Sequence, residues 1–164
     1  MKTTLRLGLI LSTALAASSA FADTTIKVSL WDKGPSSLMM DDAHMGMMGK
    51  MDMAMMPMAM MGITLDQATV PAGKVTFETT NDSKETIHEM LVAPVPEGTT
   101  ELPYVVDENR VNEEAANYLG EVSELDVGKS GALTIDMAPG TYIVFCNIPG
   151  HFISGMWTLL TVTP

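Results

Sequence analysis

The sequence predicts an all-β domain, an antiparallel β-sandwich, and three observations carry that expectation. Short runs alternate apolar with polar residues, Gly and Pro punctuate them, and only one stretch has helical character. Repeated strands without interleaved helices favour a sandwich over a parallel βαβ sheet.

Ahead of the strands, residues 1–22 read as a secretory signal peptide. Lys2 and Arg6 form a basic start, and Leu7 to Ala17 is an apolar run too short to cross a bilayer. Ala20-Phe21-Ala22 then offers small residues to a signal peptidase. Cleavage is expected after Ala22, leaving residues 23–164 as one domain in the periplasm. No later segment predicts a membrane span.

Thr24 to Leu30 is the first expected strand, with Ile26, Val28 and Leu30 on one face. Ile63 to Val70 and Lys74 to Thr80 flank the turn-like Pro71-Ala72-Gly73, and Thr86 to Ala93 is a fourth strand ended by Pro94 and Pro96. Ala132 to Met137, Thr141 to Cys146 and Met156 to Val162 complete the set, with Pro139-Gly140 as a turn. Glu108 to Leu119 predicts a short helix on a long connection. Glu113, Glu114, Ala115 and Ala116 are good helix formers, Asp107 suits a cap and Gly120 a stop.

Residues 39–61 break the pattern. Twelve of these 23 residues are methionine, at Met39, Met40, Met45, Met47, Met48, Met51, Met53, Met55, Met56, Met58, Met60 and Met61, with no Phe, Tyr, Trp, Leu, Ile or Val. This low-complexity insert is expected as a loop between the first and second strands. Its methionines fall on both strand parities and on all sides of a helix, so they offer no single face to a core. Capture of a soft ion is the reading favoured for them. Thioethers bind Cu(I) without losing a proton, and His44 adds an imidazole.

Charge narrows the function classes. The chain has 9 Lys and Arg against 20 Asp and Glu, a net −11; losing Lys2 and Arg6 leaves 7 basic residues and a net −13. Such a surface lacks the clustered cations that nucleic-acid binding needs. It suits a cation or a basic protein partner.

The one cysteine, Cys146, belongs to a chain expected in an oxidising compartment, where an unpaired thiol calls for burial or a metal. Cys146, His151 and Met156 are spaced five residues apart, and Pro149, Gly150 and Gly155 allow the tight bends that would bring them to one point. Thiolate, imidazole and thioether suit copper better than zinc, which rarely recruits a thioether. A trigonal Cys-His-His set with a long axial Met needs a second histidine. Strand parity places His88 with Met90 and Val92, opposite Glu89, which is expected to mark the wetter face, so His88 is favoured over His44. Met90 is an alternative axial donor, but the loop spacing favours Met156.

Val70-Pro71-Ala72-Gly73-Lys74-Val75-Thr76-Phe77, the His88 strand, Pro139-Gly140-Thr141-Tyr142 and the Cys146 to Met156 loop together resemble the cupredoxins, the small blue-copper proteins of the plastocyanin and azurin group, from Ile63 to the end. The resemblance implies a Greek-key β-sandwich with one type 1 copper near one end. It implies His88, Cys146 and His151 as equatorial ligands and Met156 as the axial one.

Four protein ligands leave no open coordination position, so one-electron redox rather than an enzyme is expected. Ile148, Pro149, Phe152 and Ile153 predict an apolar rim beside His151 where a redox partner approaches. The leading functional expectation is copper handling and tolerance by a monomer, similar to copper-resistance cupredoxins, with additional Cu(I) on the insert. The alternative is a dedicated electron carrier, with Asp107, Glu108, Glu113, Glu114, Glu121 and Glu124 docking a basic redox protein.

Overall fold

A computed structural model describes residues 23–34, 50–51, 59–99 and 101–164. Two sheets face each other. The first runs in the order β2 (Met61–Leu65), β1 (Thr24–Asp32), β4 (Gly73–Asn81), β9 (Ser130–Met137). The second runs β3 (Thr69–Pro71), β11 (Trp157–Thr163), β10 (Gly140–Phe145), β5 (His88–Val95), β8 (Gly120–Leu125). A separate hairpin pairs β6 (Tyr104–Val105) with β7 (Arg110–Val111).

Period-2 patterning explains the inner core. Ile26, Val28 and Leu30 of β1 and Val75 and Phe77 of β4 meet Met90 and Val92 of β5, Val144 of β10 and Leu160 of β11 between the sheets. The sheets are mixed rather than wholly antiparallel, because β1 pairs parallel with β4 and β11 parallel with β3. The expected strand Ile63 to Val70 divides, and its halves join opposite sheets. Asp66 explains the break: its Oδ1 accepts the Lys27 N–H at 2.9 Å while its own N–H donates to the Lys27 carbonyl at 3.1 Å, ending the β1–β2 ladder.

The helix expected over Glu108 to Leu119 does not form. Val106–Glu108 makes a single 3-10 turn, β7 follows, and turns cross 113–117. Asparagines override the helical propensity. Asn109 and Asn117 adopt left-handed backbone (φ 55 and 53), and the Asn112 side chain accepts the Ala115 N–H at 2.9 Å. Asn147, far along the chain, binds Val111 from both sides, accepting its N–H at 2.8 Å and donating to its carbonyl at 2.9 Å.

This connection also builds a second core. Leu102, Val111 and Ala116 pack with Leu91, Ala93, Ile143, Phe145, Phe152, Ile153 and Trp157 on the outer face of the second sheet. The face of β5 opposite His88 is therefore apolar and covered beyond Glu89, not wet: Leu91 and Ala93 are fully buried. Buried on both faces, β5 and β10 read as near-continuous apolar runs.

Of the Met-rich insert, Met51 is half-buried against the outer core and Met60 is half-buried. Met61 opens β2 and is fully buried in the inner core. The remaining methionines of the insert and His44 lie outside the described residues, as do residues 1–22. No helix among the described residues is long and apolar enough to cross a membrane.

Candidate metal centre

Three chain segments converge at one end of the sandwich. His88 opens β5, where the pairing with β8 shifts register: His88 lies opposite Leu125 but Met90 opposite Val122. That irregularity gives β8 an extra residue and turns the start of β5. Cys146 directly follows β10, and its N–H donates to the Met156 carbonyl at 3.0 Å, closing the base of the loop.

Within the loop, the His151 N–H donates to Ile148 O at 2.9 Å, and the Met156 N–H donates to His151 O at 3.1 Å. Ser154 Oγ ties back to Gly150 O at 2.7 Å. Gly150 and Gly155 take φ of 86° and 94°, a conformation that favours glycine. At Gly155 a side chain would also collide with Ala59, since an added Cβ would sit 2.5 Å from the Ala59 Cβ. The insert thus returns to the fold against the 146–156 loop. The Met60 N–H donates to Ser154 O at 3.2 Å, and the Lys33 N–H donates to Met60 O at 2.9 Å, tying the return of the insert to the end of β1 and to the 146–156 loop.

His88 Nδ1 lies 3.1 Å from His151 Nδ1, and Cys146 Sγ lies 3.3 Å from the same His151 nitrogen. The three donor atoms all fall within 4.8 Å of one another. Exposure is 0% for His88, Cys146 and Met156 and 1% for His151. Met156 and Cys146 belong to the same inner core.

Burial sets the protonation states. It lowers both histidines, each to about 4; Asp32 opposes the shift at His88, and His88 adds to it at His151. Burial pushes the Cys146 thiol up to about 12, against the N–H groups of Glu89 and Ile148 that favour the thiolate. At neutral pH the trio is one thiol and two neutral imidazoles. Two ring nitrogens facing each other at 3.1 Å hold at most one proton between them. A soft cation among the three lone pairs would satisfy both rings and favour the thiolate, so the donor set fits a copper ion.

Residues not singled out from the sequence support these donors. Asp32 continues the inward parity of Ile26, Val28 and Leu30, and its carboxylate stands 3.7 Å from His88 Nε2. Asn147 donates its N–H to Glu89 Oε1 at 3.1 Å and its amide to Glu113 Oε1 at 2.8 Å. The Glu89 carboxyl is pushed up to about 7, first by burial and then by Glu121, Glu124 and Glu113. The four-residue apolar rim is not found. Phe152 and Ile153 sit in the outer core, Phe152 stacked on Trp157 at 6.4 Å and edge-on to Phe145 at 6.0 Å, which leaves Ile148 and Pro149.

The sulfocyanin (SoxE) domain model matches residues 67–164, more than half of the chain. The chain belongs to the sulfocyanin (SoxE) family. Auracyanin-B of Chloroflexus aurantiacus is 47% identical over 49 residues, a stretch that makes up 29% of this sulfocyanin-family chain and only 21% of that relative.

Among solved structures, auracyanin B superposes with a TM-score of 0.53 at 22% identity, covering 90% of this chain and 94% of that one. Rusticyanin from Thiobacillus ferrooxidans gives 0.51 at 19% identity, covering 84% and 77%. These likenesses show the cupredoxin fold, and auracyanin and rusticyanin are blue copper cupredoxins. Cupredoxin homologues bind one type 1 copper, and the cluster of His88, Cys146 and His151, with Met156 buried beside them, suits that cofactor.

Proposed function

We propose that this protein is a blue-copper electron carrier. In this reading His88, Cys146 and His151 hold one copper as equatorial ligands and Met156 is the axial ligand. The observation that carries it is the convergence of three buried soft-to-intermediate donors within 4.8 Å of one another in a chain of the sulfocyanin family. Bound copper supplies a one-electron couple. The chain contributes a thiol that gives up its proton on binding, two imidazoles already neutral at pH 7, and two apolar cores that keep the donors in place and exclude water. Four protein donors leave no position for a substrate, so the protein works as a carrier and not as an enzyme.

The surface around Ile148 and Pro149 is the place for electron exchange, next to His151 in the loop. Glu89, Glu113, Glu121 and Glu124 form an acidic neighbourhood that suits a redox protein with a basic face. The protein acts as an exported, periplasmic monomer, residues 1–22 being its signal peptide and 23–164 its one domain. Copper handling, the leading expectation from the sequence, takes second place. The relatives are blue-copper cupredoxins, and the His88, Cys146 and His151 cluster fits a carrier's copper site.

Addition of Cu(II) to purified residues 23–164 should give an intense sulfur-to-copper charge-transfer colour at one copper per chain. A Cys146→Ser variant that kept the colour would sink the assignment. In cells, a deletion of residues 35–58 that spares Met61 separates the two readings. Unchanged copper sensitivity, with a respiratory defect only on loss of the whole gene, supports the carrier; copper sensitivity caused by the insert deletion restores copper handling.

A further inference from the structure

Asp32 is an unusual residue to find where it stands. Its β1 neighbours on the same face, Ile26, Val28 and Leu30, are core hydrocarbons, and a fourth would extend that core. Instead the chain places a carboxylate there whose side chain is entirely buried. Burying a carboxylate is costly unless it is paired and hydrogen-bonded.

Its two oxygens are used differently. Oδ1 accepts the Gly34 N–H at 2.8 Å, where Gly34 turns away with φ 100°. Oδ2 has no hydrogen-bond partner among the described residues, and neither does His88 Nε2; the two face each other across 3.7 Å, from one sheet to the other. The opposite ring nitrogen of His88 points to His151 and Cys146.

We propose that Asp32 is a positioning residue of the metal centre: its carboxylate holds the His88 imidazole as the Nε2–H tautomer, aims the Nδ1 lone pair at the donor cluster, and biases bound copper toward Cu(II). The first part follows from geometry, because a ring with its Nε2–H toward a carboxylate presents a lone pair at Nδ1. The second follows from charge. A buried anion behind a ligand stabilises the more highly charged metal state and strengthens the donor imidazole. This inference rests on the copper reading, while its tautomer half holds for the metal-free protein alone.

Two measurements test it. In copper-loaded protein, Asp32→Asn keeps the shape and an acceptor oxygen but removes the charge. The colour should persist while the Cu(II)/Cu(I) equilibrium shifts at least tenfold toward Cu(I), a rise of about 59 mV for a one-electron couple. Asp136→Asn, on the exposed surface of β9, should shift it by less than a third as much. An Asp32→Asn potential that stays put or falls overturns the electrostatic role.

In metal-free wild-type protein, ¹⁵N spectra of the His88 ring should show a proton on Nε2 and none on Nδ1. Finding the Nδ1–H form, or fast exchange between the two, overturns the positioning role even if the asparagine variant does not fold. A wild-type protein that never turns blue refutes the copper reading and leaves the ring measurement to judge Asp32.

Discussion

The centre of the second sheet, β5 and β10, is buried on both faces, but by different chemistry. Its inner face meets the first sheet and carries His88, Met90 and, at the ends of its strands, Cys146 and Met156. Its outer face meets the 101–119 connection with Leu91, Ile143, Phe145, Phe152 and Trp157, all hydrocarbon or aromatic. The loop from Cys146 to Trp157 feeds both: Cys146 and Met156 go inward, and Phe152, Ile153 and Trp157 go outward. The donors are therefore positioned from behind, by apolar packing on the side that faces away from them.

If that is right, the largest stability loss should come from a residue that touches no metal. Phe152→Ala, adjacent to His151 and packed on Phe145 and Trp157, is expected to cost about 3–5 kcal/mol in urea unfolding of the metal-free protein. Its copper colour should also weaken as His151 loses its support. Asn147→Ala comes next. It strands the buried Val111 N–H and carbonyl, at about 1–3 kcal/mol, with little change in colour. If the colour disappeared while stability held, the outer face would have to be part of the donor set itself.

Met156→Leu sharpens the contrast from the inner side. A swap of similar volume should cost less than about 1.5 kcal/mol. With Met156 as the axial ligand proposed above, removing this weak donor should nevertheless raise the reduction potential. An unchanged potential would move the axial role elsewhere, with Met90 the next residue to test.

The two faces should also respond to pH with opposite sign. In the metal-free protein His88 and His151 are held at about 4 against an ordinary 6.5, so their contribution is present above 6.5 and is lost as pH falls toward 4. Glu89 is raised from 4.5 to about 7, so its contribution is present below 4.5 and is lost as pH rises toward 7. Glu89→Gln should make stability climb more steeply between pH 4.5 and 6.5. This effect is the smallest of the four because Glu89 is only half-buried and solvent screens it. A slope unchanged by Glu89→Gln would remove Glu89 from the balance.

The inner face was the legible one. Period-2 patterning matches most of its strands and puts His88 on the inward side with Met90, and the loop after Cys146 brings His151 back to it with Met156 buried in the same core. The outer face was not, because its cover comes from a connection whose shape depends on distant partners. Glu113 to Ala116 carry helical propensity, yet Asn147 and the left-handed Asn109 and Asn117 dictate turns. With that layer unseen, Phe152 and Ile153 looked like a surface rim and Glu89 like the wet side. Asp32 shares the parity of Leu30, but a charge at the end of an apolar alternation is equally the mark of a strand's exit to solvent. Asp66 ended one strand by hydrogen bonds to β1 that alternation does not encode.

The hydrogen bonds that join Lys33 to Met60 and Met60 to Ser154 have an engineering consequence. Because the chain leaves and re-enters the sandwich at neighbouring points, each doubling of the length between costs only about 0.6 kcal/mol in closure entropy. The stretch from Gly34 to Ala59 is held again in its middle, where Met51 packs on the outer core and Lys50 makes a backbone bridge to Glu101. A peptide of another composition spliced there has to keep those middle anchors, while the return bonds through Met60 still hold its end beside the loop that carries His151. The return of the Met-rich insert and the loop that carries His151 share one doorway.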